Sequence, residues 1–316
     1  MVIKLITKVR IINFKQFKDI EISFNKNNIL VGNNNSGKST ILEAITLALS
    51  GYYRGKNIKN CLSQNLFNRE VVQEYLDSFK KGNQPKDLPK IIIEVHLDSP
   101  NGQDRFSGND TINKENSRGF SFVIEFDEKN YANLYEEMVN EGNIQILPTE
   151  YYFSHWNLFS REDNVSPKII PSKSFLIDSD NFQANTFYTS RIIRGFFTDS
   201  DSTQIIQEER QVYSNLLNCE SIKKVNSKIM DDSRLSKHNV TIGLADLTRS
   251  SLDGLLNTQI NGLPMDNAGK GEQCLVKTAL SFSVPGTSQA ERIILIEEPE
   301  CHLSHSTLNI LLDMIN

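Results

Sequence analysis

The sequence predicts an α/β fold: a mixed or parallel sheet around a Gly-rich loop, a β-rich subdomain and an inserted helical lobe. Three observations carry this expectation. Residues 29–51 pass from an apolar run through a Gly- and Asn-rich loop into a stretch with helical spacing. Residues 293–298 form an apolar, β-branched run that ends in acidic residues. Between them, strict two-residue alternation at 91–97 gives way to a polar stretch with helical spacing from 204 onward.

Taken in order, Val9 and Ile11 alternate with Arg10, and Ile20, Ile22 and Phe24 alternate with acidic and small polar residues. The first 31 residues therefore read as β structure, with Ile29-Leu30-Val31 as the strand that feeds the loop. Ile41, Leu42, Ala44, Ile45, Leu47, Ala48 and Leu49 share one broad helical face, and Gly51 stands where a helix stop belongs. Ile91-Ile93-Val95-Leu97 and Phe120 to Phe126 predict strands, Asn130 to Glu141 a short helix, and the Asn/Gly/Asp/Ser-rich stretch 99–117 an exposed loop. Gln204 to Asp231, with Ile205, Ile206, Val212, Leu216 and Leu217 at helical spacing, predicts a surface helical lobe. Val240 to Leu263 predicts a strand and a helix, and Cys274 to Phe282 another helix. Ile293 to Ile296 predicts a strand buried on both faces, and Thr307 to Ile315 an amphipathic helix. The expected core is 1–55 with 240–316, and roughly 56–239 is inserted lobe or lobes.

Composition sets limits. Hydrophobic residues make up 38% and charged residues 23% of 316, as in a soluble globular protein. No apolar run approaches the roughly 18 residues a membrane helix needs. The N-terminus carries no signal-peptide pattern, and Cys61, Cys219, Cys274 and Cys301 fit no metal spacing. Reduced thiols in a cytoplasmic protein are the expectation. A net charge of −5 argues against a general nucleic-acid coat.

The chemistry concentrates at three places. Residues 32–40 match G-x-x-x-x-G-K-[ST] at every fixed position. Gly32 and Gly37 free the backbone so that successive N–H groups point at phosphates. Lys38 adds a cation, the Ser39 hydroxyl ligates Mg²⁺, and the helix N-terminus adds its dipole. Asn33, Asn34, Asn35, Ser36, Gly37, Lys38, Ser39 and Thr40 are thus the candidate ATP-binding residues; a plain strand-to-helix turn would require neither the Lys nor the Ser. At the end of the second apolar run, Glu297 is the candidate Mg²⁺-side carboxylate, with Ser39 the other metal ligand, and Glu298 is the candidate catalytic base. Asp is the usual residue on the metal side. Gly269, Lys270, Gly271 and Glu272 precede a helix and are candidates for a second contact with the nucleotide, although Gly-x-Gly before a helix also reads as a simple turn. His302 is read as an ATP-site residue that senses the neighbouring nucleotide near a dimer seam, against the alternative of a solvated or capping imidazole. His96, His155 and His238 read as structural, Trp156 with its neighbouring aromatics as core, and Arg191 and Arg194 as solvated.

The segment Val9-Arg10-Ile11-Ile12-Asn13-Phe14-Lys15-Gln16-Phe17 leading into the 32–40 loop resembles the RecF/SMC-like branch of ABC ATPases. The run Glu297-Glu298-Pro299-Glu300-Cys301-His302-Leu303, with Gly269-Lys270-Gly271-Glu272-Gln273, resembles the OLD (overcoming lysogenization defect) family within it. The resemblance covers both ends of the chain. It implies an ABC-type P-loop ATPase head using ATP and Mg²⁺, which forms a homodimer or higher oligomer through its heads. It further implies control of DNA cleavage in anti-phage defence, with DNA and separate defence subunits as partners. OLD proteins continue into a Toprim nuclease, which is expected to be absent from this chain. Two departures stand out: Gly269-Lys270 where Ser-Gly is usual, and Ser304-His305 where OLD proteins tend to have His-Pro. The competing expectations are a RecF-like DNA-repair ATPase and a nucleotide-gated sensor working with a separate effector. The long separation of Lys38 from Glu297 argues against a transporter motor.

Overall fold

Alternating apolar residues build the first hairpin. The structure, a computed structural model, describes residues 6–80, 87–98, 104–140, 144–170, 173–178, 193, 196–230, 258–283, 292–298 and 303–315. In β1 (Ile6–Phe14) the side chains of Val9, Ile11 and Phe14 are fully buried. The chain reverses at Lys15-Gln16 into β2 (Phe17–Ser23), which pairs antiparallel with β1. Helix α1 (Lys38–Ser50) follows, and Gly51 ends it in the left-handed region, its N–H returning to the Leu47 carbonyl. This is the glycine C-cap expected from the sequence.

Past α1, the short strands β3 (Tyr52–Tyr53) and β4 (Lys56–Asn57) form a hairpin about Arg54-Gly55, and α2 (Ile58–Cys61) and α3 (Arg69–Lys80) cover one flank. The expected strands at 91–97 and 120–126 are β5 (Ile91–Leu97) and the centre of β7 (Ser117–Phe126). Between them, 104–116 is not the open loop expected. Its strand β6 (Ser107–Gly108) pairs with β7, and the Ile112 N–H donates to the buried Glu94 carboxylate at 2.7 Å. The buried acid accounts for the fold-back, because its carboxylate needs a donor where water does not reach. Helix α4 (Glu128–Asn140) and β8 (Tyr152–Leu158) complete the layer. The result is an antiparallel sheet in the order β2-β1-β5-β7, with β6 and β8 both on β7.

A second, parallel sheet joins distant parts of the chain. Strand β9 (Lys173–Asp178) pairs with β12 (Arg292–Glu297) in unbroken register from Lys173↔Arg292 to Asp178↔Glu297. Helix α1 touches β1 and β5 on one side and β9 and β12 on the other, so it is the filling between the two sheets. This explains why nine of its residues are buried and why its apolar face is broad. Each such aliphatic side chain contributes on the order of 1.5–3 kcal/mol by leaving water.

The helical lobe is present as α5 (Asp199–Leu217) and α6 (Glu220–Met230). Residues 259–264, expected to belong to a strand and a helix, instead form a hairpin of β10 (Gln259–Ile260) and β11 (Leu263–Pro264). Asn261 and Gly262 both have positive φ there, and Asn-Gly favours this two-residue turn over a continuing helix. Helix α7 (Lys270–Ser283) contains the expected 274–282 segment and packs on β9, β12 and α8 (His305–Ile315) around Ile177, Cys274 and Leu311.

Ile29-Leu30-Val31 departs from expectation. It pairs with no strand among the described residues, and Ile29 and Val31 are 86% and 90% exposed. An apolar run becomes a strand only where it lies along a neighbour's edge, and residues 29–31 do not, although β9 and β12, paired with each other among the described residues, each keep an outer edge. The acidic strand is likewise not buried throughout: Leu295 is buried, whereas Ile293, Ile294 and Ile296 are half-buried, as suits a two-stranded sheet.

Candidate nucleotide site

The loop before α1 stands open to solvent from Val31 to Ser36, and then dips: Gly37 is buried. Gly37 occupies the N-cap position at φ 97, which a side chain disfavours. A Cβ there would also collide with the Gln16 side-chain amide and the Phe17 ring, so the tip of the β1–β2 hairpin lies on the loop's last glycine. At Gly32 a Cβ would fall 2.7 Å from Ser36 Oγ. The Ser36 N–H closes a turn onto the Asn33 carbonyl at 3.2 Å, and Asn35 adopts φ 65.

Lys38 Nζ donates to the carbonyls of Gly32 at 2.7 Å and Asn33 at 3.1 Å, so the ammonium lies across the mouth of the loop. Ser39 is exposed and Thr40 buried. The first-turn N–H groups of α1 have no intrahelical acceptor, by the geometry of any helix start. An exposed loop of short residues, a cation and a helix N-terminus make a donor set that fits a polyphosphate, and the exposed Ser39 hydroxyl is an oxygen that could reach its Mg²⁺.

One turn into α1 lies a feature that motif reading missed. Glu43, with its side chain 7% exposed, is held by two cations. Lys15 Nζ, from the β1–β2 tip, meets one carboxylate oxygen, and Arg54 Nε, from the β3–β4 tip, meets the other at 2.7 Å. Lys15 also lies 5.1 Å over the Tyr53 ring, and Arg54 5.5 Å over the same ring. Burial opposes the charge on Arg54, yet its pKa is raised, first by the hydrogen bond to Glu43 and, more weakly, by the Glu297 carboxylate. Arg54 thus stands in the field of the acidic end of β12. The signal was present in the sequence: Glu43 is the sole acid in a mostly apolar helix, and a buried acid demands partners.

Glu297 is half-buried as the last residue of β12, and Glu298 is exposed, with its backbone in the left-handed region at φ 48. That conformation turns the chain sharply off the strand at the second acid. The turn before α7 has Gly269, Lys270 and Glu272 exposed and Gly271 half-buried; a Cβ on Gly269 would meet nothing within 4 Å. Gln273 is buried and its amide donates to the Ala268 carbonyl at 2.9 Å. His302, together with Arg191, Arg194, His238 and Cys301, lies outside the described residues. His96 and Trp156 are buried among core groups: His96 Nδ1 is 2.8 Å from Ser117 Oγ, and Trp156 Nε1 donates to the Ala48 carbonyl at 2.7 Å. Among the described residues no group of three or more His, Cys, Asp or Glu forms a metal cluster, and no helix is long and apolar enough to cross a membrane.

A family model described as an AAA domain, AAA_23, matches residues 8–242, which include the 32–40 loop and the Lys15–Glu43–Arg54 cluster. Over 72 residues, 22% of this chain, the sequence is 40% identical to the DNA double-strand break repair Rad50 ATPase of Thermoplasma acidophilum. Over 78 residues, 24% of this chain, it is 47% identical to an ATP/GTP phosphatase of Helicobacter pylori. These matches span 8% and 18% of the two relatives' lengths. Among solved structures, the recombination mediator protein RecF with ATP aligns over 99% of this chain and 89% of its own, at a TM-score of 0.42 and 13% identity. A second RecF structure, the RecF-ATPrS form, aligns over 98% and 90%, at 0.43 and 12%.

Proposed function

Because the chain belongs to the AAA domain family, we propose that it is an ATPase of the RecF/Rad50 type, which binds ATP and Mg²⁺ on residues 32–40 and uses hydrolysis in DNA repair. The observation that carries this reading is the loop itself: a solvent-open run of short residues, closed by a buried left-handed Gly37, at the start of a helix clamped between two sheets. In this reading the backbone N–H groups of 33–40 and Lys38 Nζ hold the phosphates, and Lys38 exchanges its two loop carbonyls for phosphate oxygens. Ser39 and Glu297 would hold Mg²⁺, which neutralises charge on the β- and γ-phosphates. Glu298, just past the strand, accepts a proton from the attacking water. Gly269 to Glu272 act on the nucleotide of a second copy. The 40% identity to a repair ATPase over the matched stretch supports DNA as the partner.

A second reading, control of an OLD-type nuclease in phage defence, rests on the Glu-Glu-Pro-Glu-Cys-His run at 297–302. One set of measurements separates the two. Lys38→Ala is expected to abolish ATP binding, and Glu298→Gln to keep binding while lowering turnover about 10²- to 10⁴-fold, the usual worth of a general base. Equal turnover in wild type and Glu298→Gln would remove the base assignment. DNA-stimulated turnover without strand cleavage by the natural full-length protein favours repair; ATP-controlled nicking of supercoiled plasmid favours the nuclease reading.

A further inference from the structure

Glu43 has no place in the P-loop motif, yet it is the most constrained charge near it. Taking a carboxylate out of water is costly unless cations and donors replace the lost hydration. Here two cations do so, each delivered by a different hairpin: Lys15 at φ 50 on the β1–β2 tip, and Arg54 at φ 47 on the β3–β4 tip. The β1–β2 tip is fixed on its outer side as well. The Lys15 N–H donates to the Leu66 carbonyl at 2.8 Å, and the Lys15 carbonyl accepts from Asn68 Nδ2 at 3.0 Å. The next two residues, Gln16 and Phe17, occupy the space over Gly37. A continuous chain of contacts therefore runs from Glu43 through Lys15 to Gly37, and Glu43 itself sits one turn beyond Ser39 on the helix that carries the loop.

We propose that Glu43 is a positioning residue of the nucleotide site: by holding Lys15 and Arg54 it presses Gln16 and Phe17 onto Gly37 and keeps the 32–40 loop in its phosphate-binding shape. The proposal rests on ATP binding at that loop. Glu43 needs no contact with the nucleotide to act this way. Releasing the tip lowers the fraction of molecules whose loop is ready, and apparent affinity falls by that fraction, whereas saturating ATP refills the competent state. A merely structural ion pair would instead lower the stability of the fold and leave KM alone.

The test uses the full chain, a fluorescent ATP analogue, steady-state turnover with Mg²⁺, and circular dichroism to select folded variants. Glu43→Gln is expected to raise KM and the analogue's Kd about tenfold with kcat within about twofold. Lys15→Met should do likewise, the Lys15→Met/Glu43→Gln double variant should be no weaker than either single one, and Lys15→Arg should restore most of the loss. A folded Glu43→Gln variant with wild-type KM, or one that loses kcat at unchanged KM, overturns the proposal. Should Glu43→Gln fail to fold, Lys15→Met and Arg54→Met carry the same comparison, and wild-type KM in both overturns it. Wild type that binds no ATP, and is indistinguishable from Lys38→Ala, sinks the ATP reading itself and the proposal with it. Wild type that binds tightly with Glu43→Gln unaffected sinks the proposal alone.

Discussion

His155 shows what burial does to a single titratable group. Its ring stacks on Phe153 with centroids 4.7 Å apart, Nε2 lies 3.5 Å from Glu125, and Nδ1 is buried with no hydrogen-bond partner among the described residues. Burial pushes its pKa down, and the attraction of the Glu125 and Asp163 carboxylates does not reverse this. The unfolded chain thus binds a proton that the folded chain resists. The stability from neutral His155 is complete above its ordinary value, about 6.5, and is lost as pH falls below it. Asp19 is held low by its hydrogen bonds to Arg10, so its share is lost only at pH below about 3.9, well separated from the histidine window. Urea unfolding of wild type should show stability falling as pH drops below about 6.5, with the fall reduced in His155→Gln. An identical slope in the two proteins would show that His155 is not its source. The same residue scale marks how far a sequence reveals a site. Lys38, Ser39 and the two glycines announce themselves because the spacing alone defines their chemistry. Glu43 shows itself only as a lone acid on a buried helix face, and its role stays hidden because its partners arrive from residues 15 and 54 and meet it only when both hairpins have formed.

At the scale of elements, α1 is the piece on which the rest is arranged, and its two ends are finished differently. The N-terminal end is left open at the phosphate loop. The C-terminal end is closed, with the Gly51 N–H on the Leu47 carbonyl and the Trp156 indole N–H on the Ala48 carbonyl. Trp156 comes from β8, so this one bond ties the far strand of the antiparallel sheet to the end of the P-loop helix, and a Cβ on Gly51 would meet the indole at 2.8 Å. Trp156→Phe keeps most of the apolar contact, including the ring packing on Phe122, but strands a buried carbonyl. The expected loss is about 1–3 kcal/mol in denaturant unfolding followed by circular dichroism, with ATP affinity little changed because the open end of the helix is untouched. A loss below about 0.5 kcal/mol would mean that water replaces the indole. Elements of this kind were readable where one period dominates: α1, β5, β7 and α7 follow from spacing. Strands 29–31 and the 259–264 turn were not, for opposite reasons. The first has the composition of a strand but lies along no ladder among the described residues, and the second is decided by two residues, Asn261-Gly262, rather than by any period.

At the scale of the molecule, the two sheets divide the work. The tip of the antiparallel sheet's β1–β2 hairpin bears on the loop at Gly37, while the parallel pair packs β12, which ends in Glu297 more than two hundred residues later in the chain, against the same helix. Parallel strands from such distant segments leave no local trace in the sequence, which is why the acidic run and the loop were legible separately and their junction through β9 was not. The Gly269 turn then faces away from the packed side of α7, and this suggests how two copies would share the nucleotide. Gly269 is the N-cap of α7, its carbonyl accepting from the Gln273 N–H at 3.0 Å, and nothing lies within 4 Å of a Cβ placed on it. Asp is a better N-cap than Gly, by a few tenths of a kcal/mol, so Gly269→Asp should leave the single chain as stable as before or slightly more so. Set against the γ-phosphate of a partner's ATP, the same carboxylate is repelled. Glu298→Gln with ATP and Mg²⁺ is therefore expected to sediment as a dimer. Gly269→Asp placed in that background should return it to the monomer, with ATP affinity of the monomer unchanged. A dimer that persists with Gly269→Asp would place this turn outside the nucleotide interface, and a monomer in both backgrounds would mean that the heads do not close on ATP at all.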